Sequence, residues 1–443
     1  MSATSGPEGA PGRRRPRIVV IGGGFGGAFA VQRLLRRLRQ DEADVLLVDR
    51  NNYFVFHPFL MEAGTGSLPP QHAVVGLRAF THARGLLMGE FTGADLTRRV
   101  IAVRPVGEAD LREVPYDHLV LAVGSVTNLP PIPGLREHAL QVKGVADAIG
   151  LRDRAIRLLE QADQTADPEH RRALLHFVVV GSSFTGVEVA GELEAFISRA
   201  SRRYANLSAA DVRITLVDIA QRILPNLDGE LADFAAQKLR ARGMDLRLGT
   251  SVRKVGPDHA ELDDGTWLAA ATLIWCAGIA PNPVLAGLDL PADSRGWILC
   301  EPDLRVQGHQ DVWAIGDGAV NPDPDGKPYP ATAQAAVQQG RAVADNLVRV
   351  LRGEAPVPCV IRDRGSLVGL GCRTGVARIG PFRLAGFPAW FLWRTVYLLK
   401  FPGWGRRLRV MLEWTIDLVF GRDYVQFGVR QATAPERETA GVR

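Results

Sequence analysis

Lysine is nearly missing from this chain: Lys143, Lys238, Lys254, Lys327 and Lys400 stand against 48 arginines in 443 residues. Cysteine is as scarce, with Cys276, Cys300, Cys359 and Cys372 the whole set. Four thiols cannot staple a fold of this length, which excludes a disulfide scaffold. None of them stand in Cys-x-x-Cys or Cys-x4-Cys spacing, so they read as reduced and structural, and no His or Cys spacing suits a metal ion. The charge imbalance is small at +5 and the hydrophobic fraction is 46%, which together exclude a disordered chain. Near the C-terminus the longest apolar block, Leu384–Trp393, is too short for a bilayer-spanning helix. At roughly 100–200 residues per domain, two or three domains are expected.

The two ends carry little pattern. Residues 1–16 are Gly, Pro, Ser and Ala ahead of Arg13, Arg14 and Arg15, and residues 431–443 are polar, so both read as disordered tails. The three arginines imitate a twin-arginine export signal. The run Ile18–Ile21 behind them is short, leads into glycines and lacks a small-residue cleavage site, so export is not the reading.

Glycine, by contrast, is abundant at 47 residues, and two clusters of it organise the chain. The first follows the apolar run Arg17–Ile21: Gly22, Gly23, Gly24, Phe25, Gly26 and Gly27. In a Gly-x-Gly-x-x-Gly loop, Gly22 permits the tight turn, Gly24 lets the backbone approach a pyrophosphate and Gly27 lets helix and strand pack closely. Val31, Leu34, Leu35 and Leu38 then fall on one helical face. A second strand, Val45–Val48, ends at Asp49, where a carboxylate binds ribose hydroxyls. The diphosphate belongs at the helix N-terminus, where free N–H groups favour an anion.

The second cluster follows His176–Val180: Gly181, then Ser183 in the middle position, then Gly186. Its next strand, Val212–Val217, ends at Asp218, and an acid there accepts from a 2′-hydroxyl and repels a 2′-phosphate, favouring NADH over NADPH. Arg222, four residues on, softens that rejection. Two such sites suggest a flavoprotein that joins FAD to a nicotinamide cofactor. Strands ending at Gly124 and Gly278, and the strand Val312–Ile315 delivering Asp317, follow in supporting order.

The segments Ile21–Gly27, Val48–Tyr53, His57–Gly66, Gly181–Glu188, Ala314–Asp317 and Ala333–Gly340 together resemble the type II NADH dehydrogenases, the single-subunit NADH:quinone oxidoreductases among two-dinucleotide-domain flavoproteins. The resemblance runs from about Arg17 to Phe427, and Gly365-Ser-Leu followed by Gly371 extends it. It implies that Gly22, Gly24, Gly27, Asp49 and Asp317 hold FAD and that Gly181, Ser183, Gly186 and Asp218 hold NADH. Cofactor contacts extend to Gly23, Phe25, Gly26, Arg50, Gly124, Gly278 and Ala333. It also implies catalytic positions at Glu188, near nicotinamide and flavin, and at Gln334 and Gln338, facing flavin and quinone. Two residues depart from the family pattern. Ser183 replaces a glycine, and Arg373 stands where many members have a lysine, so a proton-donor role there is doubtful because arginine does not readily give up its proton.

Between Arg378 and Arg422 eight Lys/Arg face two acids, and four of the eight tryptophans cluster: Trp390, Trp393, Trp404 and Trp414. Ala389–Leu399 and Leu408–Phe420 read as two helices broken at Phe401–Gly403. Basic flanks and aromatic faces fit helices lying in an anionic lipid interface, with Trp at headgroup depth. A pair packed on the protein body or in a homodimer seam is the other reading.

The expected fold class is α/β: two Rossmann-like dinucleotide-binding domains, the second inserted in the first, plus a C-terminal amphipathic helical membrane-interface region. The expected divisions are 17–150 with 290–350 for FAD, 151–289 for NADH, and 351–430 for the C-terminal region. The expected activity passes a hydride from NADH to FAD and two electrons to a membrane quinone without proton pumping, on the cytoplasmic face of the membrane as a peripheral protein. Reduction of a small electron-carrier protein, or a low-turnover nucleotide-binding redox sensor, would use the same two motifs. Nucleic acid is not an expected partner, because outside the basic window the chain is close to neutral.

Overall fold

The structure, a computed structural model, describes residues 14–81, 85–420 and 422–428; the expected tails fall outside the described residues except for 14–16. The helices that matter below are α1 (Phe25–Arg37), α2 (Leu60–Gly64), α3 (Val145–Gln164), α4 (Phe184–Ser201), α5 (Ala333–Leu351), α6 (Phe387–Lys400) and α7 (Trp404–Phe420). By its contacts the chain divides into two units.

Unit 1 comprises Met1–Phe54, Gly76–Ser125 and Pro281–Arg362. Its seven-stranded sheet runs Val312–Ala314, His118–Leu121, Arg17–Ile21, Asp44–Asp49, Leu86–Asp95, Val100–Pro105, Arg112–Pro115. The first five strands are parallel and the last two join antiparallel. Parallel strands are covered on both faces, which is why Ile18, Val19 and Val20 are apolar without alternation and have no exposed surface. Helices α1 and α5 cross through small residues. A methyl group at Gly340 would lie 2.3 Å from the Gly26 carbonyl oxygen, so glycine there is what allows backbone-to-backbone contact. Arg33 forks onto Asp345 across the same pair, with both N–H···O distances 3.0 Å.

Unit 2 comprises Val55–Val75, Val126–Ala280 and Asp363–Arg443. Its five-stranded parallel sheet runs Ala139–Leu140, Thr272–Trp275, His176–Val180, Arg213–Asp218, Asp245–Leu248. The core between this sheet and the helices includes Leu151, Leu159, Phe177, Val189, Leu193, Phe196 and Leu239. Burying each such side chain contributes roughly 1.5–3 kcal/mol. After Asp363 come three antiparallel strands, Ser366–Gly369, Gly375–Ile379 and Phe382–Gly386, then α6 and α7. Helix α6 starts at Phe387 and α7 at Trp404, earlier than their apolar spacing suggests. Pro388 lies in the first turn of α6, where its missing N–H costs nothing.

The α/β class, with a dinucleotide-type sheet in each unit and a helical C-terminal region, is the architecture read from the sequence. Among the described residues, no helix is long and apolar enough to cross a membrane.

Candidate functional site

In unit 1 the glycine loop is a cradle fixed on every side. Gly22 has φ +96° and its N–H donates to Val48 O at 2.8 Å, which sets the turn against the neighbouring strand. Pairing of Ile21 with Val48 then brings Asp49 beside the loop. Its Oδ2 accepts the Gly23 N–H at 2.6 Å and its Oδ1 accepts the Asn51 N–H at 2.7 Å. Burial pushes the Asp49 carboxyl above its ordinary value, and those two N–H groups oppose the rise. A methyl at Gly27 would lie 1.8 Å from Gly22 O, whereas one at Gly24 would meet nothing within 4 Å. The space over Gly24 is open at the start of α1, the positive end of the helix dipole. Phe25 and Gly26 begin α1, and Arg50 is exposed just past Asp49.

The remaining unit 1 positions converge on this loop. Gly124 has φ +67° with open space beside its Cα, and Gly318 approaches its carbonyl. Asp317 lies in the short turn Gly316–Gly318. The N-terminal part of α5 comes next to that turn, since a methyl at Gly316 would touch the Ala336 methyl at 3.6 Å. Ala333 and Gln334 form its first turn, with Thr332 capping it through the Ala335 N–H. Gln338 commits its amide to the chain: Nε2 donates to the Arg362 carbonyl at 3.1 Å and Oε1 accepts the Arg362 N–H at 3.1 Å. The buried member of the trio is Gln339, whose Oε1 accepts the Gly316 N–H at 2.7 Å. It holds the turn bearing Asp317, a role that the sequence analysis does not assign to it, because Gln334 and Gln338, four apart on one face, carry the family resemblance.

Unit 2 repeats the plan with one change. Gly181 has φ +104° and donates to Val217 O at 2.8 Å, and a methyl at Gly186 would lie 1.7 Å from Gly181 O. Asp218 Oδ1 accepts from the Ala220 N–H, while Oδ2 accepts from both the N–H and the hydroxyl of Ser182. Ser183 caps α4, is exposed, and makes no side-chain bond to the helix it caps. Gly278 has φ +70° against Asn128.

Glu188 lies one turn into α4. Its Oε1 accepts the Gly369 N–H at 3.3 Å. The residue is partly exposed yet deeply recessed, and loss of water pushes its carboxyl up to about 8, with Glu192 and Glu62 adding to the rise and the Gly369 N–H and Trp393 indole opposing it. Arg373 sits at the tip of the turn that follows Gly369. Gly371, Cys372 and Arg373 are all left-handed there, at φ +73°, +49° and +55°. That turn packs on α4 through a glycine pair, because a methyl at Gly191 would lie 2.4 Å from Leu370 O. All four cysteines are free, and burial pushes Cys276 and Cys300 up to about 12.

The C-terminal helices differ from the sequence expectation in which residues face out. Trp404 alone of the four tryptophans is exposed; Trp390, Trp393 and Trp414 are buried in unit 2. Arg394 lies between the rings of Trp390 and Trp414, 4.5 and 4.4 Å from their centres, which turns both indoles inward. The outward face of α7 is instead Trp404, Leu408, Met411, Leu412, Ile416 and Val419, one apolar stripe exposed by 45 to 77%. Half of the eight basic residues in the window are neutralised inside the unit: Arg378 by Asp363, Arg383 by Asp228 and Glu230, Arg394 by Glu62, and Arg422 by Glu192. Lys400, Arg406, Arg407 and Arg409 form no ion pair among the described residues.

The chain is similar to known proteins along nearly its whole length. The profile of the pyridine nucleotide-disulphide oxidoreductases matches residues 16–340, and that of the NDH2 C-terminal domain matches residues 364–423. The type II NADH:quinone oxidoreductase Ndh of Mycobacterium tuberculosis is 30% identical over 442 residues, covering 95% of this chain and 92% of its own. A mitochondrial internal alternative NAD(P)H-ubiquinone oxidoreductase A1 of Solanum tuberosum is 32% identical, covering 94% and 89%. The solved structure of NDH2 from Plasmodium falciparum in complex with NADH superposes with a TM-score of 0.85 at 20% identity, over 93% of this chain and all of that one. With both profiles matched and relatives aligned along nearly its full length, the chain belongs to the pyridine nucleotide-disulphide oxidoreductases and, among them, to the type II NADH:quinone oxidoreductases.

Proposed function

We propose that this protein takes a hydride from NADH and delivers two electrons to a membrane quinone, without pumping protons, as a peripheral protein on the cytoplasmic face. NADH:quinone oxidoreduction is the activity of its family. The observation that carries the reading is the pair of glycine cradles, one in each unit, each with its own acid at the end of the adjacent strand. FAD, when bound, supplies the two-electron relay between donor and acceptor. Gly22, Gly24, Gly27, Asp49, Gly124 and Asp317 would hold it, and the open space over Gly24 fits its diphosphate. Gly181, Ser183, Gly186 and Asp218 would hold NADH, with Asp218 accepting from the adenosine ribose and disfavouring NADPH. Gln339 fixes the Asp317 turn, and Glu188 would stand at the proton-transfer end of the reaction.

The apolar stripe of α7 and the unpaired Lys400, Arg406, Arg407 and Arg409 support docking on an anionic lipid surface. Absorbance tests the central claim. The purified protein should be yellow, bleach anaerobically with NADH and recover colour on adding a soluble quinone. Bleaching without recovery would point to another acceptor. In proteoliposomes, NADH oxidation by quinone should build no proton gradient, and a gradient abolished by an uncoupler would refute the non-pumping route. Removal of residues 404–420 should end co-sedimentation with anionic vesicles.

A further inference from the structure

The loop that follows Asp218 carries a cation that NADH does not use. Strand Arg213–Asp218 ends at the C-terminal edge of a parallel sheet, the edge at which open α/β sheets bind their ligands. The chain then turns through residues 219–224 on a fixed base. The Asp218 carbonyl accepts the Thr250 N–H and the Ala220 carbonyl accepts the Gly249 N–H, both at 3.0 Å, and the Leu224 N–H donates to Ser182 O at 2.8 Å. Ile223 and Leu224 are buried, and Leu224 is left-handed at φ +50°, which is rare for leucine. Between these anchors Gln221 and Arg222 stand exposed.

Arg222 has no partner for its charge. Among the described residues its guanidinium makes no hydrogen bond and no ion pair. It rests over Gly229, the first residue of helix Gly229–Ala241, with Nη2 3.0 Å from where a methyl carbon would stand. Glycine there gives the guanidinium room without binding it. The nearest acids along the chain are committed to another cation, since Arg383 lies 2.7 Å from Asp228 Oδ2 and 3.1 Å from Glu230 Oε2. Arg222 therefore loses no bond when it swings toward a ligand at Asp218. Asp218 is in turn less repellent than a bare carboxylate. The Ala220 N–H and the N–H and hydroxyl of Ser182 already donate to its two oxygens. One carboxylate and one unpaired guanidinium sum to zero at the adenosine end of the site.

We propose that the enzyme accepts NADPH as a second donor, with Arg222 binding the 2′-phosphate that NADH lacks. This rests on the reading of unit 2 as the NADH cradle. The guanidinium fork matches two oxygens of a phosphate. A 2′-hydroxyl donates to Asp218 and needs no cation, so NADH remains the better donor. A 2′-phosphate is repelled by Asp218, and Arg222 supplies the opposing charge. The overall reaction keeps its form. NADPH loses a hydride and leaves as NADP+, and the quinone gains that hydride and one proton from solvent to become quinol.

The test is anaerobic stopped-flow bleaching of the full flavin-loaded protein by NADH and by NADPH. The wild type should bleach with both, the second-order constant for NADPH being about ten- to a hundredfold lower. Arg222→Ala should lower the NADPH constant about tenfold further and leave the NADH constant, flavin content and melting temperature in place. Arg222→Lys keeps the charge without the fork and should lose only about threefold. Added salt should depress the NADPH constant more steeply in the wild type than in Arg222→Ala. In an Asp218→Ala background, Arg222→Ala should still cost NADPH about tenfold, because the phosphate contact remains to be lost. No loss there would mean that Arg222 only offsets Asp218, which overturns the phosphate site. A wild type that bleaches with NADH but not with millimolar NADPH, or an Arg222→Ala protein that keeps its NADPH constant, overturns the proposal and leaves the NADH cradle standing. Failure to bleach with NADH overturns both.

Discussion

The two cradles are built alike and held differently. Each has a strand, a positive-φ glycine, a second glycine that would clash with the first if it gained a methyl, and an acid aligned by strand register. In unit 1 both oxygens of Asp49 accept only backbone N–H groups, and α5 reinforces the loop through Gly340 and Gln339. In unit 2 one oxygen of Asp218 is shared with the Ser182 hydroxyl, a donor that can rotate away, and the middle glycine has become an exposed serine. A ribose bound as we propose would displace a competitor at Asp218 but none of side-chain origin at Asp49. The unit 1 arrangement suits a group retained through many turnovers, the unit 2 arrangement a substrate that must leave after each.

The comparison breaks most sharply at the close-approach glycines. Gly27→Val should yield protein that retains no flavin, because the side chain meets Gly22 O in the cradle that unit 1 is built around. Gly186→Val makes an equal clash with Gly181 O, yet should leave the yellow colour and lower the rate of NADH bleaching about a hundredfold. Flavin loss in both variants would refute the separation of roles.

The ion pairs give the next largest contrast. Arg394→Met strands Glu62 in the interior of unit 2, and breaking a buried pair costs about 3–5 kcal/mol, read as a lowered melting temperature. Arg33→Met in unit 1 removes a fork that is more than a third exposed on both sides and should cost less than about 1 kcal/mol. A smaller effect follows from Asp218→Ala, which should raise the KM for NADH about tenfold and narrow the gap to NADPH while flavin content holds.

How legible these regions were depends on how local their signals are. Both cradles could be read from the sequence because strand, glycines, helix and acid fall within about 40 residues and each has a steric reason for its residue type. The Glu62–Arg394 pair spans 332 positions, and nothing local marks either partner. The tryptophans misled for the same reason. Composition put all four at a lipid surface, but three are turned inward by contacts with Phe59, with Glu62 and with Arg394. The basic window shrank likewise, since four of its eight charges meet acids distant in the chain, at Asp228, Glu230, Glu62 and Glu192, or just before it at Asp363. Periodicity shows that a helix has two faces; which face is covered depends on elements that sequence spacing does not place.

The finest test of the two-cradle contrast is Ser183→Gly. Ser183 adopts extended φ/ψ at −78° and −172°, so glycine is not needed there for backbone conformation. Its hydroxyl makes no bond to α4, so removing it loses no helix cap. What remains is the ligand side of the loop. If the serine acts only as bulk at the diphosphate, Ser183→Gly should lower the KM for NADH about two- to threefold, making unit 2 resemble unit 1. A rise of the same size would mean that the hydroxyl donates to the phosphate and replaces what the glycine's openness provides elsewhere. Either way flavin content and melting temperature should not move, and stopped-flow bleaching at several NADH concentrations separates binding from hydride transfer. An unchanged KM would show that position 183 does not face the ligand, and the likeness of the two loops would then end at their first and third glycines.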